Sequence, residues 1–297
     1  MAGLTRAQMG RLTQLLRDRA ESRIKLDSPL ARWLLADYAD LCHVHKRTLR
    51  LTPEVKLRLR EALSRSEGFD LLPGLPKDAD RVETSGITAF DKLSDVRPDA
   101  KQVLVAASLG IPLLGADHLP SERLHIPADV SVRVPIARID LSAFDSLLVI
   151  ENLNAFDHWR DIHCDTLTEH TLVIYRGHNC TQRGVQDLLE RSAFEQVDQR
   201  RIAFTDVDPA GLAIVYSSLR NITHWLSPSL RSQTLLRSKT MEFVDQHAQQ
   251  TYLESRPTDG LQDIRDWILA QKIAISQERL IALKIPLFAV SLQSNRL

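Results

Sequence analysis

The chain has 297 residues, enough for two or three domains with a sizeable core. Its 38 Lys and Arg balance 38 Asp and Glu, so net charge alone argues for no acidic or basic partner. No apolar run of about 18 residues occurs, which excludes a membrane-spanning helix, and the N-terminus has no apolar core of the kind a signal peptide needs.

The distribution of charge is more informative than its sum. Residues 1–65 hold 14 basic and 7 acidic side chains, leaving 24 against 31 for the remainder. A basic arm beside an acidic body fits a DNA-holding element next to a metal-holding one, although solvated helix faces are often Arg-rich as well. Residues 5–25 are predicted as a helix, with Thr5 as N-cap and Gln8 closing a capping box. Leu12, Leu15 and Leu16 form its apolar stripe, and Arg11, Arg17, Arg19 and Arg23 occupy the other faces. Ser28-Pro29 opens a second helix reaching Leu41, and Thr52-Pro53-Glu54 a third reaching about Ser64. Lys46, Arg47 and Arg50 lie between them as candidate phosphate contacts. Leu71 to Asp80 contains Leu-Pro-Gly-Leu-Pro and is predicted as a linker. The first unit is therefore expected to be a helical basic arm over 1–80.

Residues 81–140 are expected to form a smaller unit. It has helical stretches at about 87–94 and 99–109, then Gly110 and an alternating strand-like run over 130–139. Scattered cysteines, Cys42, Cys164 and Cys180, suit a reducing cytoplasm better than a disulfide framework.

From residue 141 to 297 the pattern changes. Three apolar, β-prone segments, within 146–156, 171–179 and 201–212, are separated by helix-length intervals, which is the signature of a parallel sheet. Runs such as Leu147-Leu148-Val149-Ile150 do not alternate, as expected of strands covered on both faces. Glu151 follows the first strand, and Asp206 and Asp208 follow the third. Open α/β sheets bind ligands beyond the carboxyl ends of their strands. Two aspartates spaced two apart in extended chain can face one ion, and hard oxygen donors suit Mg²⁺. A single Asp after a strand is more often a helix cap, and Asp208 before Pro209-Ala210-Gly211 fits that role too. Three acids at one rim are harder to explain as caps, because like charges resist ionising together without a cation.

This arrangement resembles the TOPRIM domain of topoisomerases, primases and some nucleases. The segments VIENLNAF, IYRGHN and FTDVDPAGLAI look like those of topoisomerase VI A subunits, and most like the JetD-type nuclease subunit of Wadjet SMC-type plasmid-defence systems. Ile275-Ser276-Gln277-Glu278-Arg279 resembles the closing segment of that family. The likeness covers about residues 135–285 and departs at Thr205, where Gly is expected before the first Asp. It implies a TOPRIM-like α/β domain over 141–297, preceded by a winged-helix-like DNA-binding unit over 81–140. It also implies a metal-dependent endodeoxyribonuclease acting on double-stranded DNA, with Mg²⁺ or Mn²⁺ held by Glu151, Asp206 and Asp208. A homodimer and an SMC-kleisin complex are the partners it implies. A non-catalytic DNA-binding module and a topoisomerase-like transesterase are the alternatives.

A transesterase needs a tyrosine in the winged-helix unit, and the chain's Tyr38, Tyr175, Tyr216 and Tyr252 all lie outside 81–140. Hydrolysis by a metal-activated water is therefore preferred. Arg176 and His178 follow the second strand and are candidates for charge clamp and proton carrier, with ordinary surface roles as the alternative. Glu278 is a further acidic candidate. His158, His163 and Cys164 have no spacing that supports zinc. Beyond them a helix over 211–220, a fourth strand in ITHWLS, and helices over 230–253 and 259–282 are predicted.

Overall fold

The computed structural model describes residues 5–67, 70–73, 81–87, 100–127, 129–177, 182–230, 240–255 and 260–292. The chain falls into two compact units, Met1–Pro98 and Asp99–Leu297.

In the first unit the predicted capping box starts α1 (Arg6–Arg17): Gln8 N donates to Thr5 Oγ1, and Thr5 N donates to Gln8 Oε1 at 2.7 Å. The helix stops eight residues before the expected Lys25, and Ser22–Lys25 is strand β1. The cause is tertiary. Lys56 is only 4% exposed and its ammonium donates to Asp18 O, Ala20 O and Ser22 Oγ, which pins this stretch as a turn. α2 (Pro29–Asp37) and α3 (Pro53–Glu67) match the Pro-led starts. Between them the chain makes a hairpin of β2 (His43–His45) and β3 (Thr48–Leu51), in a sheet of order β1-β3-β2. The expected all-helical arm is thus a mixed unit, with Leu12, Ile24, Leu34, Leu49, Leu51 and Leu59 in its core. α4 (Arg81–Ile87) closes the described part, and the helix predicted over 87–94 lies, beyond residue 87, outside the described residues.

The second unit is a mixed α/β fold. In chain order it runs β4 (Gln102–Ala107), β5 (Ile111–Leu114), β6 (Pro120–Leu124), β7 (Val132–Pro135), β8 (Ser146–Ile150), α5 (Leu153–Asp157), β9 (Thr171–Tyr175), α6 (Gln182–Glu195), β10 (Arg200–Phe204), α7 (Pro209–Ser217), β11 (His224–Pro228), α8 (Thr240–Asp245), α9 (His247–Glu254), α10 (Gln262–Gln271), α11 (Gln277–Ala282) and β12 (Leu287–Ser291). A seven-stranded sheet has the order β12-β11-β10-β8-β9-β4-β7, and β5 pairs with β6 separately.

The predicted parallel strands are there, and β11, β10, β8 and β9 pair in parallel. The sheet as a whole is mixed, because β4 joins β9, β7 joins β4 and β12 joins β11, all antiparallel. Every residue of β8 is buried, as its unbroken apolar run requires. The helix expected over 99–109 is in fact strand β4. Buried Val103 and Val105, two apart, mark the strand period, which a segment this short barely distinguishes from a helical one. Residues 102–135, expected in the winged-helix-like unit, thereby contribute β4 and β7 to the large sheet. The long helix expected over 259–282 is broken: Lys272 adopts φ 52, ending α10, and Ser276 restarts the chain as α11.

Candidate carboxylate site at the sheet rim

β8 and β10 are neighbours, and Glu151 N donates to Phe204 O at 3.0 Å, so the carboxyl ends of both strands are held together. Chain continuing from β10 delivers Thr205, Asp206, Val207 and Asp208. Val207 is buried and bridges Ile275 through two backbone hydrogen bonds of 2.9 and 3.2 Å, so Asp206 and Asp208 flank an inward-facing residue, as the spacing predicts. This bridge also brings Ser276, Gln277 and Glu278 to the rim.

Gln277 is the organising side chain. Fully buried, it accepts from Asn152 N at 2.9 Å and donates to Phe204 O at 2.6 Å, while its backbone N donates to Asp206 Oδ1 at 2.8 Å. One residue thus ties the end of β8, the end of β10 and a carboxylate. Asp208 caps α7: its Oδ1 accepts from Gly211 N at 2.7 Å, with Pro209 in the first turn. Its Oδ2 accepts from Gln246 Nε2 at 2.7 Å, and Gln246 Oε1 accepts from Ala210 N at 2.9 Å. Gly211 is obligatory here, because a Cβ would lie 2.1 Å from Asp206 O. Thr205, where the TOPRIM resemblance leads one to expect Gly, is buried and accepts from Trp225 Nε1 at 2.9 Å. Its hydroxyl satisfies a buried indole that glycine would leave without an acceptor.

The electrostatics are unusual at Asp206. Burial pushes its carboxyl up to about 7; the Gln277 hydrogen bond opposes the rise, and the charges of Asp208, Glu151 and Glu278 add to it. Four carboxylates therefore share one field. Glu151 faces Arg176, whose guanidinium lies 3.4 Å from Glu151 Oε1. Arg176 is 8% exposed and its backbone N donates to Ile150 O at 2.8 Å, so it is built into the rim and is no surface residue. Burial also raises Tyr175, which packs its ring 5.9 Å from that of Phe156. His178 lies outside the described residues. A cavity of about 410 Å³, lined by Asn154, Ala155, His158, Asp161, Glu278 and Ile281, opens beside Glu278.

The donor set suits a hard divalent cation in kind, since all four groups are carboxylates and Asp206 bears a cost that a cation would relieve. It does not form a ready cage. Among the described residues no three His, Cys, Asp or Glu side chains are grouped to hold an ion. Both Asp208 oxygens are engaged, and Glu151 is turned onto Arg176. What remains fits the sparse kind of Mg²⁺ site, resting on one or two carboxylates, with waters and phosphate completing the shell. His158 contacts Asp161 at 3.2 Å rather than a third ligand.

In the first unit, Lys46 and Arg47 form the turn of the β2–β3 hairpin, both exposed, with Lys46 at φ 54. Arg50 lies in β3 and pairs with Glu21 at 2.6 Å, so its charge is already answered. No helix of the described residues is long and apolar enough to cross a membrane.

The model of one protein family matches residues 101–289, which takes in β4 to β12 apart from the end of β12 and includes every rim residue named above. Its description is a domain of unknown function, DUF7281. No curated protein matches the chain.

Proposed function

The chain belongs to the DUF7281 family, and we propose that it is a Mg²⁺- or Mn²⁺-dependent endonuclease of TOPRIM type that hydrolyses double-stranded DNA as the nuclease subunit of an SMC-type plasmid-defence complex. The observation that carries this reading is the crowding of Asp206, Asp208, Glu151 and Glu278 at the carboxyl ends of adjacent parallel strands, with Asp206 driven up to about 7. Carboxylates perturbed by burial and by one another cluster at functional sites.

In this reading Asp206 and Glu151 hold the cation, and Asp208 fixes the loop from which Asp206 projects by capping α7. When bound, the cation supplies polarisation of the phosphate and a water acidic enough to attack at neutral pH. Gln277 orients Asp206 through its backbone N–H. Arg176, held at the rim, offers its guanidinium to a phosphate oxygen and stabilises charge developing there. The cavity beside Glu278 gives room for the nucleotide next to the cut. Lys46 and Arg47 supply sequence-independent phosphate contacts from their hairpin turn. Purified protein should nick or linearise plasmid in Mg²⁺ or Mn²⁺, and Asp206→Ala should abolish this. Cutting that persists in chelator, or in the Ala variant, overturns the proposal.

The Glu151–Arg176 contact favours a second reading, a TOPRIM-like module that binds DNA without cutting it. Its mark would be alanine variants of the acids that hold DNA as well as the parent, with no cleavage by either.

A further inference from the structure

The three-stranded sheet of the first unit has one face in the core and one in water, and the alternation of its strands sorts the side chains between them. Ile24, Leu49 and Leu51 point inward and are buried. The outward positions are Arg23 and Lys25 on β1, Thr48 and Arg50 on β3, and His43 and His45 on β2. Register lines them up in two rows, Arg23–Arg50–His43 and Lys25–Thr48–His45. The second row runs on into the exposed Lys46 and Arg47 of the hairpin turn. Arg23, Lys25, Lys46, Arg47 and Arg50 therefore share one face and its turn, while the acids of segments 21–27 and 43–50 are Glu21 and Asp27. Glu21 contacts Arg50 at 2.6 Å and Arg23 at 3.2 Å, so one carboxylate is divided between two guanidiniums and Arg50 has the greater share. Arg23 remains 60% exposed.

We infer that this outer face is a docking platform for the backbone of duplex DNA, on which Arg23 and Lys25 extend to β1 the phosphate contacts proposed for the hairpin turn. The inference deepens the reading that the chain handles double-stranded DNA, and rests on it. Charge complementarity selects the occupant. A protein partner needs apolar or aromatic groups at the centre of its interface, and the six outward strand positions here are three cations, two imidazoles and a hydroxyl. A phosphate backbone asks for charge and hydrogen-bond donors alone. A face that is only solvated mixes both signs of charge. From the first row to the turn the platform extends roughly 10 Å, the rise of about three phosphates along one DNA strand.

The test is the anisotropy of a fluorescein-labelled duplex of about 20 base pairs with the full chain, in chelator so that no metal-dependent cutting occurs, from about 50 to about 200 mM salt. Arg23→Gln combined with Lys25→Gln is expected to lower the slope of log affinity against log salt by about two, so that its affinity falls about tenfold less than the parent's over that range. Arg23→Lys with Lys25→Arg keeps both charges and is expected to keep the parental slope. Arg58 is exposed on α3, whose Leu59 packs with Leu49 on the other face of the sheet, and Arg58→Gln is expected to leave the slope unchanged. An unchanged slope in the Gln pair, or an equal drop in Arg58→Gln, overturns the platform. So does displacement of the duplex by polyglutamate as effectively as by unlabelled duplex, which marks a site for an acidic protein. The endonuclease reading is sunk by a different result, duplex binding through this face with no metal-dependent nicking by the parent.

Discussion

Replacing Asp206 with Asn should flatten the dependence of stability on pH. The carboxyl rises from 3.8 to about 7 on folding, which corresponds to at most roughly 4 kcal/mol, and partial exposure of the rim reduces this toward ~2 kcal/mol. The folded protein holds this proton more tightly than the unfolded chain, so the contribution is fully present below pH 3.8 and is lost as pH climbs to about 7. Asn keeps an acceptor for the Gln277 N–H but carries no charge at any pH. Urea denaturation in chelator, at intervals from pH 5 to pH 8.5, should show the parent losing stability relative to the variant, with the gap widening until about pH 7 and then holding. Mg²⁺ added at high pH should return part of that loss to the parent and none to the variant. Parallel curves for the two proteins would refute the reasoning, because burial and crowding would then not be acting on this carboxyl.

Thr205→Val keeps shape but removes the acceptor for Trp225 Nε1, and should cost about 1–3 kcal/mol in urea denaturation; no loss would mean the indole finds another acceptor. Gln277→Leu leaves Asn152 N and Phe204 O unanswered in a buried place. It should cost about 2–5 kcal/mol and reduce metal-dependent cleavage more than DNA binding, as plasmid nicking and fluorescence anisotropy together would show. Arg47→Gln should weaken DNA binding and reduce its salt slope by about one, whereas Arg50→Gln should do less, because Glu21 already neutralises that guanidinium. Equal effects at the two positions would remove the hairpin from the interface.

The central sheet and its acids were legible because their signals are local. Apolar runs mark β8 and β9 and the last three residues of β10, and Asp-Pro-Ala-Gly after β10 is a cap, a helix start and a close approach written in four successive residues. The short strands carry too little pattern to be legible locally. β1, β2 and β3 have only three or four residues each, and the end of the predicted first helix is decided by Lys56, far along the chain. β12 and the antiparallel edges depend on which strands become neighbours, which no window of sequence reports. The wiring of the site is longer in range still. Gln246 reaches Asp208 across 38 positions and Gln277 reaches Asp206 across 71, and a glutamine has no spacing rule that announces such a role. The resemblance of Ile275-Ser276-Gln277-Glu278-Arg279 singles out the acid Glu278, whose charge does act on Asp206, while the hydrogen bonds of Gln277 have no signal in sequence. Arg176 looked like a loop residue because the sequence does not show that its flanking strand ends are clamped.

On the ribosome, β8, β9 and β10 are all synthesised well before Ile275 and Gln277, which give the loop after Phe204 its shape. A growing chain can therefore complete its central strands while Asp206 has neither its hydrogen-bond donor nor its neighbour Glu278. The rim takes its final geometry only when α11 docks, so an unfinished polypeptide carries the acids without the hydrogen bonds that set their positions.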